Sequence, residues 1–329
     1  MEHGKGLMQV SASAPGKLVL FGEHAVVHGY PGIVTAVDRR YQVRARHIDA
    51  ATLQVRTSAD RLHEVPFTAL GKTQHPDIAY VVAAINQLNA RVPLKHGLKL
   101  VTGGPTRSLG LGSSSAISVA TLAAASRIHD VDLSQDELYS MARTAVLDVQ
   151  GLGSGLDVAA AVYGGTCFLE RAGEIPEALS VERLPLIIGY SGSKAGTVNL
   201  VKRVAGLRSR HPDLVEAVLG AMGRISIRAR SCMEEGRWRD LGALTDINQG
   251  LLEALGVGTG QLAQLVYAAR SARAWGAKLS GAGGGDCVFA WADDALRADV
   301  VAGLEAAGGE LADIACSVPG VKVNDETWR

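Results

Sequence analysis

Residues Gly110-Leu111-Gly112-Ser113-Ser114-Ser115-Ala116 constrain this chain more than any other stretch. Two glycines one residue apart run into three serines and then an Ala-rich helical pattern, the layout of a loop that feeds a helix N-terminus. Glycine lets the backbone take φ > 0 and approach a ligand closely. The N–H groups of a helix's first turn, at the positive end of its dipole, then face an anion. The serine hydroxyls suit helix capping or a metal. No Gly-Lys-Ser/Thr follows, so this is not a Walker A loop, and the G-x-G-x-x-G spacing of a dinucleotide site fails. Taken alone, the loop fits phosphate binding and a capped helix after an ordinary glycine turn equally well.

The surrounding chain narrows the class. With 329 residues there is room for two cores, and a formal net charge of zero argues against a nucleic-acid or general polyanion binder. A small anionic ligand stays open, because local geometry binds it. Cys167, Cys232, Cys287 and Cys316 are scattered without a CxxC pair or metal spacing, and read as reduced thiols. Residues 1–10 lack an apolar leader, and no run reaches the ~18 apolar residues of a membrane span. A soluble, cytoplasmic protein of mixed helices and strands is expected.

Hydrophobic periodicity predicts strands at Leu18–Phe21, Gly32–Val37, Tyr41–Arg46, Leu98–Val101, Thr166–Leu169 and Leu186–Tyr190. Helices are expected at Ile78–Leu88 and Ser114–Ile128, with a third opened by a Ser134/Glu137 capping box and running to Val149. Val158–Val162 reads as a helical turn. From Thr197 the texture changes to long amphipathic helices near 197–208, 213–235, 239–255 and 260–274. Strands at Lys278–Leu279 and Cys287–Trp291, a helix at Ala295–Ala307 and an end strand at Ile314–Val318 complete the pattern. The boundary between two units falls at 188/189, dividing 1–188 from 189–329.

Three patches carry chemistry beyond this pattern. In Pro15–Gly29, Lys17 lies one strand away from Glu23-His24; charged groups beside an apolar strand are paired or functional, and a Lys17–Glu23 ion pair is the plain alternative. His28 reads as a turn residue before Gly29. In Asp148–Asp157, Asp157 follows a Gly/Ser-rich loop and precedes an apolar run; it fits a helix N-cap or a carboxylate that takes a substrate hydroxyl proton. In Lys278–Asp286, four glycines in five residues suit a backbone pressed against a ligand, or a flexible hairpin connection. Together, two glycine loops, a Lys/Glu/His patch and a loop-borne Asp fit phosphoryl transfer better than any one plain alternative.

At these residues the sequence resembles the GHMP kinase superfamily, whose members include galactokinase, homoserine kinase, mevalonate kinase and phosphomevalonate kinase. Pro15–Gly22, Pro105–Ala116 and Lys278–Gly285 are similar to its three motifs, in order, and the likeness spans about residues 12–292. Phe21–Gly29 resembles the mevalonate kinase signature, and Asp246–Val257 that family's helix before the third motif. The resemblance implies an α+β, two-domain GHMP kinase fold, with a ribosomal protein S5 domain 2-like N-terminal domain and a ferredoxin-like C-terminal one. It implies ATP and Mg²⁺ as cofactors, and phosphorylation of mevalonate or a related small hydroxy acid; phosphomevalonate kinase and a non-catalytic GHMP-fold binding protein are the alternatives.

The same resemblance assigns residues. Asp157 and Lys17 are catalytic, paired with each other and close to the substrate hydroxyl, and Glu23 and His24 line the substrate site. Pro105, Leu109, Gly110, Leu111, Gly112, Ser113, Ser114 and Ser115 cradle ATP, with Gly281, Gly283 and Gly284 supporting the loop. Ser114 contributes to the metal. The family's metal-binding Glu stands eleven residues before that Asp, where this chain has Val146; Asp148 is the nearest acid and the substitute candidate. Asp286 replaces a family glycine, with its side chain expected to point away from the phosphates. A phosphorylated substrate needs an extra cationic pocket, for which Lys194, Lys202 and Arg203 are candidates. The partner set is a small-molecule substrate, without nucleic acid or membrane; a homodimer is left open.

Overall fold

A computed structural model describes residues 8–72, 75–105, 109–181, 183–194 and 196–327. The residues read for a leader lie largely outside this set, as do positions 106–108 of the second motif.

The chain begins with β1 (Met8–Phe21) and β2 (Gly32–Ile48), followed by the hairpin β3 (Thr52–Arg56) and β4 (Leu62–Pro66). Helix α1 (Ala79–Arg91) leads to β5 (Gly97–Gly103), and α2 (Ser113–Ile128), α3 (Gln135–Gln150) and α4 (Leu156–Tyr163) follow. Strands β6 (Thr166–Leu169), β7 (Glu177–Ala178) and β8 (Leu186–Tyr190) precede four helices, α5 (Thr197–Arg210), α6 (Pro212–Glu234), α7 (Trp238–Ala254) and α8 (Gly260–Ser271). The remainder is β9 (Gly276–Leu279), β10 (Cys287–Trp291), α9 (Asp294–Ala306), β11 (Glu310–Leu311) and β12 (Lys322–Thr327).

The first sheet has the order β12-β1-β2-β5-β3-β4, with β6 also pairing β2 and β7 pairing β6. Its pairs are antiparallel except β3 with β5. Helices α1 to α4 cover one face, burying Val10, Ala12, Ala14, Val43 and Leu100 against the Ala-rich α2. The second sheet, β11-β8-β10-β9, is antiparallel and packs against α7, α8 and α9. A separate apolar core joins the two sheets: Leu18, Leu20, Phe21 and Ile33 of the first meet Tyr190, Phe289 and Trp291 of the second. Burying that surface, at about 25 cal/mol per Å², holds the two halves in fixed register beneath the cleft.

Several expectations shift for identifiable reasons. Pro15 and Gly16 lie inside β1, which runs regularly through them opposite a bulge in β2. Register slips between Pro15 and Gly16 opposite β2, and a Cβ on Gly16 would sit 2.6 Å from the Leu111 carbonyl. The extra residues of that bulge, Asp38 and Arg39, join the two strands expected at 32–37 and 41–46 into the single β2. The β3–β4 hairpin, short and edge-placed, carries too little apolar signal to be anticipated. The Ser134 capping box forms, with Glu137 N–H donating to Ser134 Oγ at 3.2 Å and Ser134 N–H donating to the Glu137 carboxylate at 2.9 Å.

The expected end strand at 314–318 is absent. There the backbone is claimed by side chains: Ala315 N–H donates to Asp38 Oδ1 at 3.1 Å and Ser317 N–H to Thr35 Oγ1 at 3.1 Å. Only isolated bridges form, at Cys316 and Pro319. Arg40 then donates to the carbonyls of Pro319 and Gly320, both at 2.8 Å, clasping the segment to the first sheet. The edge strand is β12, paired to β1, so the chain's last strand returns to the first sheet, while β8 of the second sheet spans position 188. Among the described residues no helix is long and apolar enough to cross a membrane.

Candidate active site

A cleft of ≈ 170 Å³ opens between the two sheets, lined by Lys17, Glu23, His24, Gly110, Asp157, Gly281 and Asp286 among others. Residues from all three sequence motifs and from the Asp157 loop therefore meet at one place.

The phosphate-loop wall is built from backbone. Gly110 and Gly112 adopt φ of 73° and 80°, a left-handed region that other residues enter at a cost of ~1 kcal/mol or more. Gly112 is the residue before α2, and no side chain caps the helix. The first intrahelical bond found is Ala116 N–H to the Gly112 carbonyl, so the N–H groups of Ser113, Ser114 and Ser115 form the open end of the helix dipole. That is the geometry of an anion cradle. Lys17 is tied to it twice: its N–H donates to the Leu111 carbonyl at 2.8 Å and its Nζ to the Gly110 carbonyl at 3.2 Å.

Asp157 is not an N-cap. Gly155 (φ 91°) precedes α4, and Asp157 sits in the first turn, its Oδ2 accepting from Ser115 Oγ across the cleft floor. That bond links the N-termini of α2 and α4. One expectation is corrected here: Lys17 turns to the Gly110 carbonyl instead of pairing with Asp157, whose carboxylate meets the fully buried Ser115.

Glu23 and His24 form the opposite wall. Glu23 does not pair with Lys17. Its carboxylate accepts from Lys278 Nζ and, at 3.2 Å, from Asn248 Nδ2, with all three residues buried. Burial pushes the Glu23 carboxyl up and the Lys278 ammonium down, each opposed by the other's charge. His24 holds φ 51°, and its Nε2 donates to the Ala282 carbonyl at 3.0 Å. Nδ1 is thereby the lone-pair nitrogen, buried without a hydrogen-bond partner. Burial pushes the His24 pKa down, which keeps the ring neutral.

Other expectations are redistributed. Asp148 is exposed, accepts from Gln87 Nε2 at 2.7 Å and lines a different cleft, so it does not join the site. Val146, at the family's acidic position, is buried. The Asp286 side chain points into the cleft, not away: it packs where a Gly110 side chain would stand. Gly281 faces Lys17, whereas Gly283 and Gly284 are glycines because Val257 and Leu200 press on them. Pro105 and Leu109 lie beside a neighbouring cleft with Arg39 and Tyr190, and the Ser113 hydroxyl meets Tyr41. His28 contacts Arg208 through Nδ1 at 3.2 Å. Lys194, Lys202 and Arg203 are exposed and do not line the cleft. Sequence reading missed the roles of Lys278 and Asn248, although a lysine inside an apolar strand was a signal.

Among the described residues, no group of three or more His, Cys, Asp or Glu is placed to hold a metal ion. The cleft offers carboxylates at Asp157 and Asp286, and Gly110 in its lining leads to the N-terminus of α2. That donor set suits Mg²⁺ arriving on phosphate oxygens, which takes one or two carboxylates and keeps water, and not an all-protein cage.

Comparison with known proteins shows the family. The GHMP kinases N terminal domain family matches residues 79–165 and the GHMP kinases C terminal family residues 229–309. The chain is 37% identical to the mevalonate kinase of Pyrococcus abyssi over 96% of its own length and 98% of that protein. The Lin0012 protein of Listeria innocua superposes with a TM-score of 0.86 at 22% identity, covering 96% of this chain and 99% of that one. Mevalonate kinase of L. major in complex with R-mevalonate gives a TM-score of 0.74 at 26% identity, covering 93% and 95%.

Proposed function

The chain belongs to the GHMP kinases, and from that premise we propose that it transfers the terminal phosphoryl group of ATP to mevalonate, giving 5-phosphomevalonate for isoprenoid precursor synthesis. What carries the reading is the facing of two walls across one cleft: an open helix N-terminus with Asp157 on one side, the Glu23–His24 turn on the other.

In this reading the N–H groups of Ser113 to Ser115 hold the triphosphate, and the Lys17 ammonium stabilises charge that develops on the transferred group. The Asp157 carboxylate orients the acceptor hydroxyl and accepts its proton as the O–P bond forms, while ADP leaves with the electrons of the broken P–O bond. His24 Nδ1, a pure acceptor, receives a hydrogen bond from a substrate hydroxyl. Mg²⁺, when bound, would neutralise the triphosphate, and the Ser114 hydroxyl is the group proposed to hold it. Residues 1–188 would supply both the phosphate loop and the base, and 189–329 the glycine segment that backs them. We place this chemistry in the cytoplasm.

The placement of Lys194, Lys202 and Arg203 outside the cleft speaks against a second phosphate on the acceptor. ADP release measured with mevalonate, 5-phosphomevalonate and galactose tests the reading. Turnover is expected with mevalonate; turnover confined to 5-phosphomevalonate or to the sugar overturns it.

A further inference from the structure

Among the described residues Lys278 is the largest charged side chain without any solvent exposure, and it does not line the cleft. Its ammonium has three N–H donors, and all three are used: on the Leu20 carbonyl at 3.2 Å, on the Leu279 carbonyl at 2.8 Å and on the Glu23 carboxylate. Leu20 belongs to β1 of the first sheet and Leu279 to β9 of the second, so one cation ties the two sheets together directly behind the cleft wall. The rings of Phe289 and Phe21 lie 5.0 and 5.8 Å from Nζ, giving the charge two aromatic faces. Just beyond the end of β9, Ser280 Oγ donates to the Val19 carbonyl of β1 at 2.7 Å, a second stitch at the same place.

A buried ion pair adds little net stability, because desolvation offsets its attraction; an apolar filling would serve a core as well. What the ammonium supplies that an apolar group cannot is direction. It fixes the Glu23 carboxylate, Asn248 holds the second oxygen, and the next residue, His24, is then held at a positive φ of 51° with its ring pinned to Ala282. We propose that Lys278 is a positioning residue of the kinase, setting the Glu23–His24 turn against the 280–282 segment and so fixing where the acceptor hydroxyl lies. The proposal rests on reading the Glu23–His24 wall as the acceptor side.

The test uses Lys278→Met, the charge-balanced pair Glu23→Gln/Lys278→Met, and the milder Asn248→Ala. Melting temperature, nucleotide affinity by calorimetry, and kcat and KM for the acceptor are measured on each full-length protein. In the paired variant the melting temperature returns close to that of wild type, nucleotide affinity stays within about twofold, and the acceptor KM remains raised roughly tenfold or more. A paired variant with wild-type kcat and acceptor KM overturns the proposal and leaves Lys278 a structural group. If the paired variant does not fold, Asn248→Ala decides: a raised acceptor KM at unchanged nucleotide affinity supports positioning, and an unchanged one overturns it. The acceptor is whichever the wild type turns over, so a wild type inactive on mevalonate overturns the substrate assignment alone.

Discussion

On one wall of the cleft, the phosphate loop presents backbone: two left-handed glycines, three consecutive serine N–H groups and a helix dipole, all within residues 110–115. On the other, the Glu23–His24 turn is held by Lys278 and Asn248, more than 200 positions away in sequence. The first wall recognises charge by geometry that any chain with those residues adopts. The second recognises shape through side chains that only the finished fold brings together. A donor common to many kinases suits the first kind of wall, and a particular acceptor suits the second.

Asp157 stands between the two, and its loss has the largest expected effect. Asp157→Asn keeps the shape and the bond from Ser115 but removes the proton acceptor, so turnover falls by roughly 10²–10⁴-fold while nucleotide affinity changes little. Steady-state rates set beside calorimetric nucleotide binding check this. Near-wild-type turnover removes Asp157 from the chemistry and dissolves the division into walls around it.

Ser115→Ala comes next. The hydroxyl donates to the Asp157 carboxylate, and a hydrogen bond to a charged group is worth about 1.5–3 kcal/mol, or roughly 10–100-fold if it serves only to aim the base. The loss should be in kcat, with KM for ATP and for the acceptor within about threefold. An equal loss in nucleotide affinity instead assigns Ser115 to the phosphate wall.

Gly112→Ala should do the reverse. A Cβ at φ 80° is strained by ~1 kcal/mol or more and would lie 2.8 Å from Lys17 Cγ. Nucleotide affinity is expected to drop about five- to tenfold, with acceptor KM unchanged. A selective rise in acceptor KM would show that the two walls are one unit.

The same contrast explains what could be read in advance. The Gly110–Ser115 loop, the capped α3 and the Asp157 turn are local, because glycine φ preference, helix ends and capping boxes act within a few residues; they were legible. The first half of β1 is not legible because Pro15 and Gly16 weaken the local strand signal, while pairing with β2, bulged at Asp38 and Arg39, carries the strand through them. The end strand expected at 314–318 does not form because Asp38 and Thr35, far upstream, claim its donors. For Glu23 the sequence offers the nearer Lys17 as a plain alternative partner, whereas its partner is Lys278. Each miss is a contact whose two ends are remote in sequence, where hydrophobic period and turn chemistry carry no information.

The smallest effect concerns the far end of α2. His129 follows its last residue, and its ring lies 4.6 Å from that of His47, which in turn lies 5.1 Å from His96. Burial first, then the two neighbouring imidazoles, push the His129 pKa down to about 4, with Asp130 opposing. A base whose folded pKa lies below its unfolded value binds its proton more readily when unfolded. The stability it contributes is therefore fully present above about pH 6.5 and is lost as pH falls from there toward 4. The ring is partly exposed, so screening reduces the loss to about 1–2 kcal/mol. Melting temperatures measured between pH 7.5 and 4.5 should fall more steeply in wild type than in His129→Gln, while nucleotide affinity at pH 7.5 is the same in both. Parallel curves would mean the three rings titrate independently of folding. A change in nucleotide affinity at pH 7.5 would mean the cradle feels the opposite end of its own helix, and the phosphate wall would no longer be a purely local device.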